Sequence, residues 1–193
     1  LGSIDLPTCF LRALEGAKVQ VRGHLKPNPF KGRFQINFRN HRKILVVDGA
    51  VAFTGGQNWC DDYLDPPKVL DLHIRVRGPA VAGIRRVFVE DWCIVTEGEP
   101  DPTIFPRPEP AGTIEARVIP HGPDEATDRL PSIFAAAISH ARRDLLLVSP
   151  YFVPGETLQN AIRLAALSGV RVRLLLPRRS DNKLADLAAR RCF

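Results

Sequence analysis

An α/β fold is predicted by three stretches of this sequence. "LLLVS" at 145–149 is short and wholly apolar, as a buried parallel strand is. Leu158, Ala161, Ile162, Ala165 and Ala166 follow at helical spacing, and "VRVRLLL" at 170–176 reads as a second strand. Strand, helix and strand with short links make a βαβ unit. Far ahead of it, "NHRKILVVDGAVAFTGGQN" at 40–58 reads as a hairpin, because Asp48-Gly49 is a strong turn signal and "AVAFT" returns antiparallel.

Taken in order, the elements begin with a short helix over 9–16. Thr8 is its expected cap, Phe10, Leu11 and Leu14 its apolar side, and Gly16 its end. "KVQVR" at 18–22 alternates like a strand, and "HLKPNPFKGRFQINFRN" reads as a basic loop leading to the hairpin. Residues 80–96 place Val81, Ile84, Phe88, Trp92 and Val95 at helical spacing. "EGEPDPTIFPRPEP" follows, with a proline density that no helix or central strand survives. It is the expected linker, which divides the chain into 1–96, 97–110 and 111–193. Beyond it, 114–119 reads as a strand, and Leu130, Ile133, Phe134, Ala137, Ile138 and Ala141 form a helical stripe.

With 193 residues of which 45% are hydrophobic, the chain can bury a core, which excludes a disordered tail. No apolar run approaches the ~18 residues of a membrane span. Cys9, Cys60, Cys93 and Cys192 form no C-x-x-C pair and read as reduced, mostly buried thiols suited to a cytosolic environment. The net charge is +6, which favours anionic partners. No acidic residue occurs from 17 to 47, while Lys18, Arg22, Lys26, Lys31, Arg33, Arg39, Arg42 and Lys43 are all basic. The sequence starts at Leu1 and contains no methionine, so an internal piece of a longer protein is expected.

The hairpin carries the chemistry. On a strand alternate side chains share a face, so His41 and Lys43 would point with Leu45 and Val47, and Asp48 the other way. Gly55 and Gly56 would let a ligand approach the backbone, and Asn58 offers both a donor and an acceptor. This set suits a tetrahedral phosphate. Lysine cancels charge, with an ion pair at 4 Å worth roughly 4 kcal/mol at an effective dielectric of ~20. Histidine can attack phosphorus or move a proton near neutral pH. A polar strand end with a hairpin turn would use some of the same residues.

The spacing His41-x-Lys43-(x)4-Asp48-(x)6-Gly55-Gly56-x-Asn58 resembles the HKD motif of the phospholipase D superfamily at every fixed position. "TGGQNWCDDYLD" and "DLHIRVRGPAV" look like the first half of bacterial cardiolipin synthases, and "SPYFVPGETLQNAIRLAALSGVRVRLLLPRRSD" like the start of their second half. The resemblance implies a phospholipase D-like mixed sheet flanked by helices, spanning the end of one half-domain and the start of the next. It implies two HKD motifs meeting at one site, one histidine forming a phosphohistidine and the other protonating the leaving alcohol, with no metal or cofactor. Only one motif is present here. His121 and His140 lack a lysine at the right spacing, so the second motif would come from further sequence or a second copy.

Carried over by the resemblance, His41 is the nucleophile. Lys43 and Asn58 hold phosphate oxygens beside the Gly55-Gly56 backbone, and Asp71 orients the histidine, although a surface salt bridge would account for an aspartate there equally well. Asp48 and Gly49 form the turn, because Asp-Gly is what that turn prefers. His73 reads as structural. Tyr151 and Phe152 follow a strand's C-terminal end, where α/β ligands bind, although core packing would place them there too. The implied activity is phosphatidyl transfer of the cardiolipin synthase type, on an anionic phospholipid such as phosphatidylglycerol at the cytoplasmic face of a membrane. A nuclease or other phosphodiesterase of the same fold and a non-catalytic phosphate-binding module are the competing expectations.

Overall fold

The computed structural model describes residues 6–23, 40–63, 71–99, 108–122, 129–178 and 187–188. Most of the basic loop and residues 100–107 of the expected linker lie outside these. The fold is mixed α/β, with small sheets flanked by helices, and the chain divides into two compact units, Leu1–Pro120 and His121–Phe193.

The first unit opens with helix α1 (Thr8–Gly16). Thr8 lies inside this helix, not at its cap; Pro7 precedes it and makes no side-chain cap. The helix ends at Gly16 as expected, and the chain then reverses through left-handed backbone at Lys18 (φ 63°). Lys18 N–H donates to Glu15 O and Val19 N–H to Leu14 O, so the last carbonyls of α1 are satisfied locally. The strand expected at 18–22 does not form. Instead the segment returns across a later helix, with the Arg22 guanidinium 5.9 Å from the Trp92 ring centre.

Strands β1 (Ile44–Val47), β2 (Val51–Gly55) and β3 (His73–Arg77) make an antiparallel sheet in that order. Val47 pairs with Val51, and Asp48 (φ 51°) and Gly49 (φ 64°) both take left-handed backbone between them. A tight hairpin of this hand needs two positive φ angles in succession, and Asp-Gly supplies them cheaply. Sequence periodicity did not mark β3, because Arg75 and Arg77 alternate with apolar residues over only one short strand. Helix α2 (Ala80–Thr96) covers one face of the sheet. Ala52, Val81 and Ile84 form its buried core, with Ile44, Val46, Val76 and Val118 packed around them. Residues 114–119 form no strand. Val118 instead packs where Gly83 leaves room on α2; a Cβ there would lie 3.0 Å from the valine side chain.

The second unit is the expected βαβ. Helix α3 (Arg129–Ser139) precedes β4 (Asp144–Val148), α4 (Glu156–Leu167) and β5 (Arg171–Leu175), and the two strands pair in parallel. Ile138, Ala165 and Val170 are its core, with Leu145, Leu158, Ile162 and Val172 around them. Gly169 (φ 87°) ends α4, and Val170 N–H reaches back to Ala165 O. Asp144 and Arg171 sit directly opposite and pair at 2.9 Å. The cysteine expectation needs correction. Among the described residues Cys9 and Cys60 are exposed free thiols and Cys93 is half-buried, because 9 and 60 fall on a helix flank and a turn rather than in a core; Cys192 lies outside the described residues.

Candidate active site

Antiparallel order decides which residues can meet. The start of β1, the end of β2 and the start of β3 share one end of the sheet. Lys43, Gly55, Gly56, Asn58 and Asp71 therefore gather there, with His41 two residues further out. Asp48 and Gly49 sit at the opposite end, in the hairpin turn.

His41 and Lys43 precede β1 rather than lying on it, so their direction is not set by ladder bonds. Hydrogen bonds through side chains hold this segment instead. Arg42 N–H donates to Asn40 Oδ1 at 2.8 Å. Asn40 Nδ2 donates to Asp91 Oδ2 at 2.8 Å, and Arg42 Nη1 to Asp91 Oδ1 at 2.6 Å. Ile44 and Val46 turn toward α2, while Leu45 and Val47, 39% and 43% exposed, turn away. The imidazole of His41 is exposed. Lys43 Nζ donates to the His41 carbonyl at 2.6 Å, using one of its three protons.

Asn58 follows β2 and donates through Nδ2 to Tyr63 Oη at 3.2 Å. Tyr63 belongs to a short 3-10 turn, Asp61–Tyr63. The second proton of Nδ2 is left for another acceptor. Asp71 accepts the Leu72 N–H at 2.6 Å, and among the described residues no hydrogen bond joins it to His41.

The two glycines have a packing reason that the sequence reading did not give them. A Cβ on Gly55 would meet the Leu72 carbonyl and come within 2.8 Å of His73 Cα. A Cβ on Gly56 would fall 2.5 Å from Asp71 Oδ1. Their open sides are thus filled by the chain's own 71–73 segment, and Gly56 N–H donates to Leu72 O at 3.3 Å. Gly55→Ala pushes backbone against backbone and is expected to lower stability by about 1–3 kcal/mol, the usual range for overpacking. Gly56→Ala meets only a carboxylate that can swing aside, and should cost less. Urea unfolding of both variants checks the order.

His73 pairs with Gly55 across the ladder, and its Nδ1 is buried without a hydrogen-bond partner among the described residues. In the second unit, Tyr151 is 45% exposed and Phe152 half-buried, just past β4. The turn there is closed by Ser149 Oγ donating to the Tyr151 carbonyl at 2.7 Å.

Residues 134–192 match the family described as cardiolipin synthase, PLD-like domain. The chain is 39% identical to Cardiolipin synthase A of Pseudomonas fluorescens (strain SBW25) over 193 residues, 98% of its own length. The chain is similar to cardiolipin synthases along nearly all of its length. It is also 38% identical to Cardiolipin synthase A of Pseudomonas putida (strain GB-1) and 39% identical to that of Pseudomonas aeruginosa (strain LESB58), again over 98% of its length. It spans about 40% of the length of these relatives. No solved structure matches it. The family match covers most of the second unit, while the phospholipase D likeness of the His41 hairpin rests on the longer relatives and on its motif.

Asp91, Asn40 and Tyr63 escaped the sequence reading. A signal for Asp91 was present. It lies four residues after Val87 and seven after Ile84, on the apolar stripe of α2. A carboxylate there needs a partner.

Proposed function

We propose that this chain carries the nucleophilic half-site of a phosphatidyltransferase of the cardiolipin synthase type. The observation that carries the reading is the gathering of Lys43, Asn58 and Asp71 at the sheet end beside His41, in a chain similar to cardiolipin synthases. An imidazole nitrogen of His41 attacks the phosphorus of phosphatidylglycerol. The P–N bond forms as the bond to the glycerol headgroup breaks, and the departing glycerol takes a proton from a second imidazole. A hydroxyl of another phosphatidylglycerol then gives its proton back to that imidazole and attacks phosphorus. His41 is released and cardiolipin forms. Lys43 and the second Nδ2 proton of Asn58 balance the charge that grows on the non-bridging oxygens.

On this reading, residues 1–96 close one half-domain and 111–193 begin another, joined by 97–110. The chemistry lies at a membrane surface, on its cytoplasmic face. Two features suit that place: Trp59, 77% exposed next to Asn58, and the basic approach to His41. An amphipathic indole is at home between lipid and water. No helix among the described residues is long and apolar enough to cross a membrane.

The test is to incubate the full-length polypeptide with phosphatidylglycerol vesicles. Cardiolipin and free glycerol in equal amounts are expected. Phosphatidic acid in place of cardiolipin would make water the acceptor. Cleavage of an oligonucleotide at a comparable rate would favour the nuclease reading, and binding without turnover the phosphate-binding module.

Asp71 enters this scheme as the carboxylate that orients the histidine ring and stabilises the positive charge that develops on it as the P–N bond forms. Asp71→Asn keeps an acceptor for Leu72 N–H, so the fold should hold. Its kcat should fall by about 10-fold or more while KM stays close, the pattern of an orienting carboxylate. An unchanged kcat demotes Asp71 to a loop anchor.

A further inference from the structure

We infer that Asp91 is a positioning residue for His41, acting through the two side chains that flank it. The inference rests on the reading of His41 as nucleophile. His41 lies outside the ladder of β1, so no sheet bond fixes its backbone. Its neighbours on both sides are fixed instead. The side chains of Asn40 and Arg42 converge on one carboxylate, each taking a separate oxygen. Arg42 N–H closes the turn on Asn40 Oδ1, which leaves His41 at the apex of a side-chain-closed loop.

The anchor is well chosen mechanically. The Asp91 side chain is 17% exposed and that of Arg42 30%. Asp91 stands on a helix of 17 residues whose Val81 and Ile84 are in the core beneath the sheet. Because 40 and 42 are drawn toward α2, the residue between them is directed away from it. The clamp therefore ties the attacking group to the helix that packs against the sheet. The Arg86–Glu90 pair on the same helix is a useful contrast: it is a surface pair, 75% and 49% exposed, and among the described residues it shares no hydrogen bond with the 40–43 segment.

A purely structural strand-to-helix tie would lower stability and leave the chemical step alone. A positioning role moves kcat. The test uses the full-length polypeptide, phosphatidylglycerol vesicles and five variants: Asp91→Ala, Asp91→Asn, Asn40→Ala, Glu90→Gln and the double variant of Asn40→Ala with Asp91→Ala. Asp91→Ala should lower kcat by about 10- to 100-fold with KM within about twofold, the scale seen when the support of a reacting group is removed. Asp91→Asn, which keeps one acceptor, should fall between wild type and alanine and guards against a variant that does not fold. Asn40→Ala combined with Asp91→Ala should cost little more than Asp91→Ala alone, since both break one clamp. Glu90→Gln should match wild type.

Hydrogen–deuterium exchange of the 40–43 segment is read in the same samples and needs no turnover. It should speed up in Asp91→Ala and not in Glu90→Gln. Unchanged exchange, or faster exchange with wild-type kcat, overturns the inference. A wild type that does not turn over phosphatidylglycerol sinks the functional reading instead, and the exchange result then decides the clamp by itself.

Discussion

His41→Ala in the full-length polypeptide is expected to abolish phosphatidyl transfer, with a loss exceeding about 10³-fold, as removal of a covalent nucleophile does elsewhere. The argument is one of substitution: among the described residues at this sheet end the other imidazole, His73, has its Nδ1 buried, and no remaining group can take the place of His41. Lys43 is turned onto the His41 carbonyl, and Asn58 and Asp71 offer an amide and a loop-bound carboxylate. None of these combines nucleophilicity near neutral pH with a leaving ability suited to the second step. The variant should still fold, since His41 is exposed and makes no core contact. Steady-state release of glycerol from phosphatidylglycerol measures the loss. Residual activity above a tenth of wild type would assign the attack to another residue.

The 193-residue chain by itself is expected to bind phosphate-bearing lipid weakly and to show no turnover as a monomer. Double displacement needs one imidazole to attack and another to donate a proton, and general acid help is worth roughly 10² to 10⁴ in rate. His41 supplies one imidazole. His121 and His140 sit in no comparable motif, and His140 Nδ1 lies 2.7 Å from Ala136 O. The isolated chain should also self-associate. In the second unit one sheet face is bare, with Leu146 65%, Val148 73% and Leu175 59% exposed. Apolar sheet surface of this kind draws partners. Turnover should be read across a concentration series beside the association state. Rates proportional to concentration in a monomer would mean that one motif suffices. Rates rising as the square would mean that two copies pair their His41 residues.

The hairpin, helix α2 and the βαβ unit were legible because each is fixed by local pattern. Asp48-Gly49 can make little else than a turn, the apolar stripe from Val81 to Val95 has one helical period, and the apolar run 145–148 makes a strand, although only the Leu145 and Leu147 face is covered and the burial expected on both faces is not found. The parts that were not legible depend on long-range partners. "KVQVR" alternates like a strand, but the left-handed turn at Lys18 sends it past Trp92, where no strand edge receives it. Residues 114–119 alternate too, yet only Val118 finds a core. The strand β3 shows the converse, a weak pattern made into a strand by the free edge of β2.

For the proposed site, the motif spacing named residues that gather at one sheet end, and the hairpin turn separated Asp48 from them. Spacing could not say why Gly55 and Gly56 must be glycine, because the atoms they avoid belong to residues 71–73. Nor could it connect His41 with Asp91, fifty positions later, without the helix packed against the sheet.

The most direct test of the central claim is to trap the covalent intermediate. Phosphatidylglycerol labelled at phosphorus is mixed with the full-length polypeptide. The reaction is stopped within the first turnover by alkaline denaturation, under which a P–N bond survives, and the label is mapped by peptide mass spectrometry. Label on the peptide containing His41, absent from His41→Ala, is the predicted result. Label on a histidine elsewhere in the polypeptide, with His41 unmodified, would contradict it.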